Sequence, residues 1–380
     1  MQYRNFIKIP QLNISALGLG MMRLPTLDGD AGRIDEDKAM ALLRAALEAG
    51  VNYVDTAWPY HNQQSEGFTG RALKALGARD KVYLATKAPV WHIKEAADWE
   101  KYLDEQLKRL DTDHIDFYLV HALNAERWDT TKATGGLDIL ERAKAAGKIG
   151  HIGFSFHDSL PVFKDIIDGY AGWEFCQVQY NYLDEGYQAG TAGIEYAASK
   201  GVSGIIMEPL RGGALARVPK EVMDIFSSYG KPRMAAEWAL RFVLDREETV
   251  TVLSGMASEG QLWENAAVAS SAMMNSLTNK ERAVIEAARD WFKTRMPVPC
   301  TTCGYCKPCP SGVAIPEAFE LWNSLVAFGG KEEKASWYKS AYVSAGHGAD
   351  ACTRCGVCLP KCPQGIAIPD RLAEAHAALS

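Results

Sequence analysis

Residues 51–60 read VNYVDTAWPY: a short apolar run ends in Asp55, and Tyr60 follows five residues later. Such a run reads as a buried strand with polar residues at its exit. The pattern around it repeats. Residues 35–49 make an amphipathic helix closed by Gly50, then comes the strand at 51–55. Residues 65–76 are helical with Gly77 as the stop, and 82–86 form the next strand. Further helix and strand pairs follow at 99–110 and 115–120, 136–146 and 149–154, 160–167 and 175–179, 187–199 and 203–207, and 233–244 and 249–253. An eighth helix spans 259–270 behind Ser258 as N-cap, and 279–293 is a further helix. Upstream, 14–20 (ISALGLG) is the first strand, and the alternation over 1–13 suggests a short hairpin.

Eight strands, each followed by a helix, argue for parallel pairing. About 270 residues for eight units suits a closed (β/α)8 TIM barrel, typically ~250 residues long. The competing fold is an open doubly wound sheet. It wants a three-glycine fingerprint after the first strand, whereas Gly18-Leu19-Gly20 is followed by Met21-Met22-Arg23-Leu24-Pro25, with proline where a helix should begin.

The bulk composition limits the function. The 380 residues allow one large domain and a small one, and 47% hydrophobic residues allow a sizeable core. A net charge of -6 gives no electrostatic reason to expect nucleic acid. No apolar run approaches the ~20 residues that span a membrane, and the N-terminal stretch MQYRNFIKIPQLN has no hydrophobic signal region, so a cytoplasmic protein is expected. Eight of the nine cysteines fall between Cys300 and Cys362; without a secretion signal, metal or cluster ligation explains them better than disulfides.

Four chemically suited residues fall at consecutive strand exits: Asp55 and Tyr60 after strand two, Lys87 after strand three, and His121 after strand four. In a barrel these ends share one face. Reducing a carbonyl requires a hydride and a proton for the developing alkoxide. A tyrosine, whose ordinary pKa is near ~10, is a weak donor, and a neighbouring ammonium makes its proton easier to give. Asp55 would balance a buried Lys87. His121 would hydrogen-bond the substrate oxygen. Singly, each has a bland reading: a helix cap, a packing tyrosine, a solvated lysine, a core histidine. Together on adjacent exits they point to a site. His61, His92 and His157 lack such company and read as surface or pocket-lining, and Trp58, Trp91 and Met22 read as apolar pocket or core.

Across residues 1–295 the chain resembles the aldo-keto reductase family, through GLGMMRLP, VNYVDTAWPY, SEGFTGRALK, ATKAP, FYLVHAL, IGFSFHD, QVQYNYL, EPLRGG and Glu264-Asn265. The resemblance implies a (β/α)8 barrel, an Asp55, Tyr60, Lys87, His121 catalytic tetrad, a small carbonyl or alcohol substrate, and NAD(P)H as hydride donor. It places Ser155 and Gln177 on the nicotinamide carboxamide, with Phe156 where the family has asparagine. Met207 stands where an aromatic residue usually stacks on the nicotinamide, and Asn265 stands where the adenine is touched. The segment LSGMASEGQLWEN carries no basic residue for a 2′-phosphate, which leaves NADH and NADPH both open.

Met296-Pro297-Val298-Pro299 is a joint, so the expected domains are a barrel at 1–295 and an iron-sulfur domain at 296–380. CPSGVAIP at 309–316 returns as CPQGIAIP at 362–369. Cys352-x2-Cys355-x2-Cys358-x3-Cys362-Pro363 fits the ferredoxin run whose fourth cysteine ligates the other cluster. Cys300-x2-Cys303-x2-Cys306-x2-Cys309-Pro310 has a last spacer one residue shorter. Two 4Fe–4S clusters follow: Cys300, Cys303, Cys306 and Cys362 on one, and Cys352, Cys355, Cys358 and Cys309 on the other. Two structural zinc sites are the alternative, disfavoured by the duplicated third cysteine and the Cys-Pro endings. The tail resembles the two-cluster ferredoxin domain of one branch of aldo-keto reductase relatives, and its long insert, helical at 317–327 and 332–342, suggests a mainly α-helical ferredoxin-like domain. Cys176 reads as a small buried apolar residue.

A nicotinamide moves two electrons and a cluster one, so direct exchange between them needs a converter such as a flavin. Barrels can hold flavin phosphate in the loops after strands seven and eight, where Arg211-Gly212-Gly213 lies. The leading reading is a redox enzyme for a carbonyl or alcohol whose clusters link it to a one-electron carrier protein. The alternatives are an NAD(P)H reductase with structural clusters, and an electron-transfer or redox-sensing module.

Overall fold

The apolar runs close on themselves in the computed structural model, which describes every residue except Thr301, Cys303 and Pro363. A hairpin of β1 (Tyr3–Arg4) and β2 (Ile14–Ser15) comes first. The barrel strands are β3 (Leu17–Gly20), β4 (Tyr53–Asp55), β5 (Tyr83–Ala88), β6 (Ile115–Leu123), β7 (Ile149–Phe156), β8 (Phe175–Gln179), β9 (Ser203–Met207) and β10 (Thr249–Ser254). Each is parallel to the next, and β10 pairs back onto β3, which completes the expected (β/α)8 barrel. Side chains of β10 are buried all along, as a strand covered on both faces requires.

Helices α1 (Glu36–Glu48), α2 (Ser65–Ala75), α3 (Ala96–Arg109), α4 (Ala125–Ala133), α5 (Gly136–Ala145), α6 (Leu160–Gly169), α7 (Gly190–Ser199), α8 (Lys220–Ser227), α9 (Ala235–Leu244) and α10 (Glu259–Ser271) connect the strands. In α1, Asp35 caps the N-terminus by accepting from Lys38 N, and Ala39, Leu42, Leu43 and Ala46 form the buried stripe. The first strand is shorter than its apolar run. Ile14 and Ser15 turn back to pair with β1, and only Leu17–Gly20 enters the barrel. The hairpin carries Phe6, Ile9 and Ile14 into a cluster with Tyr53, Phe117, Phe175, Ile205 and Val250, filling the barrel interior away from the strand exits. Short helices α4 and α8 were not apparent in the sequence; each inserts after a strand, where the pattern is interrupted by polar residues.

The chain divides into two compact units. One contains Met1–Asn181, Ala189–Ala216 and Ala236–Thr278, and the other Tyr182–Gln188, Arg217–Ala235 and Asn279–Ser380. The second unit thus includes α11 (Asn279–Arg295), which precedes the change in composition. It also holds α8, and the helices after α11 are α12 (Ile315–Phe328), α13 (Lys331–Tyr338) and α14 (Ile368–Leu379). α12 and α14 pack around Phe319, Trp322, Leu372 and Leu379, with Tyr338 buried beside them. The two CP-repeats enter these helices identically. Gly312 N donates to Cys309 O at 2.9 Å and Gly365 N to Cys362 O at 3.1 Å, both glycines at positive φ (72° and 62°). The helix then starts at Ile315 or Ile368, with Pro316 or Pro369 in its first turn, where a missing N–H is harmless. Among the described residues no helix is long and apolar enough to cross a membrane.

Candidate active site and cysteine pockets

Lys87 organises the barrel site. It is 0% exposed, and its Nζ donates to Asp55 Oδ2 at 2.7 Å, Thr56 O at 2.8 Å and Tyr60 Oη at 3.3 Å. An ammonium this deep is tolerated because a carboxylate and two further acceptors replace its water. Strand order makes the arrangement: Asp55 ends β4 and Lys87 lies near the end of β5, which is β4's neighbour. The pKa directions follow from burial against charge. Burial pushes Asp55 up, with Lys87 pulling it back. Burial opposes the charge on Lys87, but Asp55 and Tyr60 together hold it above its ordinary value. Tyr60 is also raised, burial outweighing the pull of Lys87. The ammonium alone would lower Tyr60, as the residue types suggested; the dry surroundings reverse the net direction and keep the proton on the phenol until an acceptor develops charge.

His121 reaches the site through a bulge. Val120 opposes Phe154, but Leu123 opposes Phe156, so β6 has one residue more than β7 over this step. Ala122 takes the extra length in the left-handed region (φ 52°), its N–H donating to Ser155 Oγ at 2.7 Å. The His121 ring lies edge-on to Tyr60, with centroids 6.3 Å apart, and its Nδ1 is buried without a partner among the described residues. Burial, then Lys87, His157 and Arg127, hold the imidazole pKa well below its ordinary value, so this ring is neutral at physiological pH.

Further round the barrel, Ser155, Gln177 and Met207 follow on β7, β8 and β9. Gln177 Nε2 lies 3.7 Å from Met207 Sδ, and its Oε1 is buried with no partner among the described residues. Ser155 Oγ accepts from Ala122 N, which leaves its hydroxyl proton available. A free donor beside an unsatisfied acceptor matches the two ends of a carboxamide. Asn265 is turned inward, donating to Ser254 Oγ at 3.1 Å. Arg211, Gly212 and Gly213 form a tight turn with all three at positive φ.

Trp58 is buried and Trp91 is 39% exposed, their rings beside His92 and His121 respectively; Met22 is exposed. His61 is not on the surface. It is buried, and its ring nitrogens meet Leu24 N at 3.2 Å and Ala31 O at 2.9 Å, which fixes the loop after β3. A buried network missed in the sequence backs the site. Glu66 Oε1 accepts from Thr86 Oγ1 and Gln106 Nε2, both at 2.6 Å, and Gln106 also reaches Lys87 O. Arg109 pairs with Glu66 and lies 3.5 Å over the Trp58 ring. The acidic residue in SEGFTGRALK was its only trace in the sequence, and a lone helical glutamate usually faces water.

In the tail the cysteines sort into two pockets. One is lined by Cys300, Cys306 and Cys362 with Phe319, Ile366 and Ile368. The other is lined by Cys309, Cys352, Cys355 and Cys358 with Leu372. Ile315 belongs to both. Each pocket therefore mixes cysteines from both repeats. Cys303 lies outside the described residues. Thiols with apolar walls are the donor set and the dry shell that an iron-sulfur cluster takes. Among the described residues no three His, Cys, Asp or Glu side chains close on a single ion. Cys176, on β8, is fully buried, and burial pushes its thiol up to about 12, which leaves it inert.

Comparison with known proteins agrees with this division. The Aldo/keto reductase family profile matches residues 16–288, and a 4Fe-4S dicluster domain profile matches residues 299–367. L-galactose dehydrogenase of Arabidopsis thaliana is 30% identical over 281 residues, which are 67% of this chain and 84% of that protein. The aldo-keto reductase yakc [NADP(+)] of Schizosaccharomyces pombe is 32% identical over 157 residues, 39% of this chain and 44% of that protein. Among solved structures, the holo form of the aldo-keto reductase AKR11C1 from Bacillus halodurans superposes with a TM-score of 0.62 at 28% identity, covering 76% of this chain and 96% of that one. This chain belongs to the aldo/keto reductase family of oxidoreductases, with a 4Fe-4S dicluster domain following its barrel.

Proposed function

We propose that the barrel interconverts a small carbonyl compound and its alcohol, with Tyr60 as proton donor, and that the tail holds two 4Fe–4S clusters connecting it to a one-electron carrier. The carrying observation is the buried Lys87 bonded at once to Asp55 and Tyr60. Ser155 and Gln177 would hold the carboxamide of a nicotinamide, and Met207 would support its ring. A bound nicotinamide supplies the hydride. Tyr60 passes its proton to the substrate oxygen as that oxygen gains charge, and the Lys87 ammonium stabilises the phenolate left behind. Asp55 keeps Lys87 charged and fixed in place. Neutral His121 donates a hydrogen bond that orients the carbonyl.

The relative named for NADP(+) supports a phosphorylated nucleotide. Against that, residues 254–265 offer no basic side chain, so this segment does not favour NADPH over NADH by charge. The pocket pairing supports assigning Cys300, Cys303, Cys306 and Cys362 to one cluster and Cys309, Cys352, Cys355 and Cys358 to the other. Bound clusters would take and give single electrons, so exchange with a two-electron nicotinamide would run through a converter such as a flavin.

Tyr60→Phe tests the reading. Carbonyl reduction should fall by roughly 10²–10⁴-fold, with nucleotide affinity, measured by fluorescence titration, retained. Turnover at the wild-type rate would remove Tyr60 as the proton donor.

A further inference from the structure

Arg127 sits beside the barrel site with no acid among the described residues to balance it. It is the third residue of α4, behind Asn124 as N-cap, whose side chain accepts from Arg127 N at 2.8 Å. A first helical turn favours acidic side chains, and its third position commonly carries Glu or Gln. An arginine there runs against both preferences, as residues kept for a ligand often do. Its Nη1 donates to Ala122 O at 2.7 Å, next to His121 in the bulge. Its guanidinium lies 5.4 Å from the Trp91 ring, and the Trp91 ring centroid lies 5.0 Å from that of His121.

A guanidinium has five N–H donors, and only this one side-chain hydrogen bond is made among the described residues, with no ion pair. The neighbouring acid, Asp158, is already engaged by Ala125 N and Ser159 N. Two cations, Lys87 and Arg127, act on His121. Lys87 is matched by Asp55; Arg127 is matched by no acid among the described residues. A fork of free donors above an exposed indole is suited to a planar or tetrahedral oxyanion carried on a flat carbon skeleton.

We propose that Arg127 and Trp91 form a subsite for an anionic end of the substrate, a carboxylate or a phosphate ester, while the carbonyl faces His121 and Tyr60. This assignment names the substrate class and rests on the carbonyl-reduction reading above. Arg127 also anchors the Ala122 carbonyl, so its test must read ligand charge rather than activity alone.

Calorimetric titration of the full chain with benzoate, benzamide and phenyl phosphate provides that readout. Wild type should bind benzoate roughly ten- to a hundredfold more tightly than benzamide, and Arg127→Gln should bring that ratio to about one. Arg127→Lys, which keeps the charge but not the fork, should keep part of the ratio. Phenyl phosphate bound more tightly than benzoate would make the anion a phosphate ester, and the reverse order a carboxylate. Equal binding of benzoate and benzamide by wild type, or a ratio unchanged in Arg127→Gln, would overturn the subsite. Reduction of benzaldehyde with NADH or NADPH judges the parent reading separately: its absence counts against carbonyl reduction, whereas the binding ratio still judges Arg127.

Discussion

The barrel site and the cysteine tail bring reactive side chains together in opposite ways. In the barrel, Asp55, Lys87 and His121 come from three strands, and the buried Lys87 charge is already balanced by protein, with Asp55, Thr56 O and Tyr60 around it. In the tail, cysteines three residues apart line small apolar pockets, and thiols rather than protein partners face the space. The barrel holds its site on a core that runs through eight paired strands. The tail has few regular elements around its pockets, mainly α12 and α14, so a bound group would itself be part of its core. A site whose charges are matched internally should survive without its cofactor. One built of converging thiols should not.

The strongest way to break this contrast is to strip the iron. Chelation of the full chain should release amide protection in α12 and α14 to near-unfolded exchange rates, with β4 to β8 still protected, as followed by hydrogen exchange. Protection that persists in an iron-free tail would mean that its apolar contacts suffice. Next in size is Lys87→Met. It leaves Asp55 charged and buried without a partner, and should cost about 3–5 kcal/mol in a denaturant titration. Adding Asp55→Leu should recover most of that loss, because an apolar pair replaces an ion pair; a single variant as stable as wild type would show that the barrel site does not depend on internal matching.

The smallest effects come from glycines, which serve different purposes in the two regions. A Cβ at Gly153 in β7 would come within 2.5 Å of the Phe175 ring and 2.6 Å of Phe175 O, so Gly153→Ala should cost about 1–3 kcal/mol. Gly365 has open space around it and φ of 62°, so Gly365→Ala should cost about 1 kcal/mol through its backbone alone. Asn at 365 should then be tolerated better than Ala, since asparagine visits the left-handed region, whereas Asn at 153 should be worse than Ala. The same order at both positions, measured by thermal unfolding, would remove the distinction.

Much of this was legible in the chain itself. Strand runs such as 175–179 and 203–207 coincide with β8 and β9, because strands covered on both faces carry short, mostly apolar runs. The types and order of Asp55, Tyr60, Lys87 and His121 were visible because each sits at or just beyond the end of such a run. The CP-repeat and its cysteine spacings were visible for a similar reason: most of the thiols that line one pocket come from one short loop.

The features that could not be read along the chain depend on contacts between distant segments. Spacing does not reveal that burial outweighs Lys87 and keeps the Tyr60 pKa raised, since desolvation belongs to the surroundings. Nor does it reveal the extra residue that turns Ala122 left-handed, or that Arg127 in α4 lies over Trp91. His61 looked like an idle histidine until folding placed it between Leu24 and Ala31. Glu66 looked like a solvated helix residue until α2 turned it against Thr86 and Gln106. The barrel, the residue types at its strand exits and the cysteine spacing could be read along the chain, because these follow from local periodicity and spacing. Protonation, ring orientation and uncompensated charge were decided only by the fold, because each depends on which distant groups replace water around a side chain.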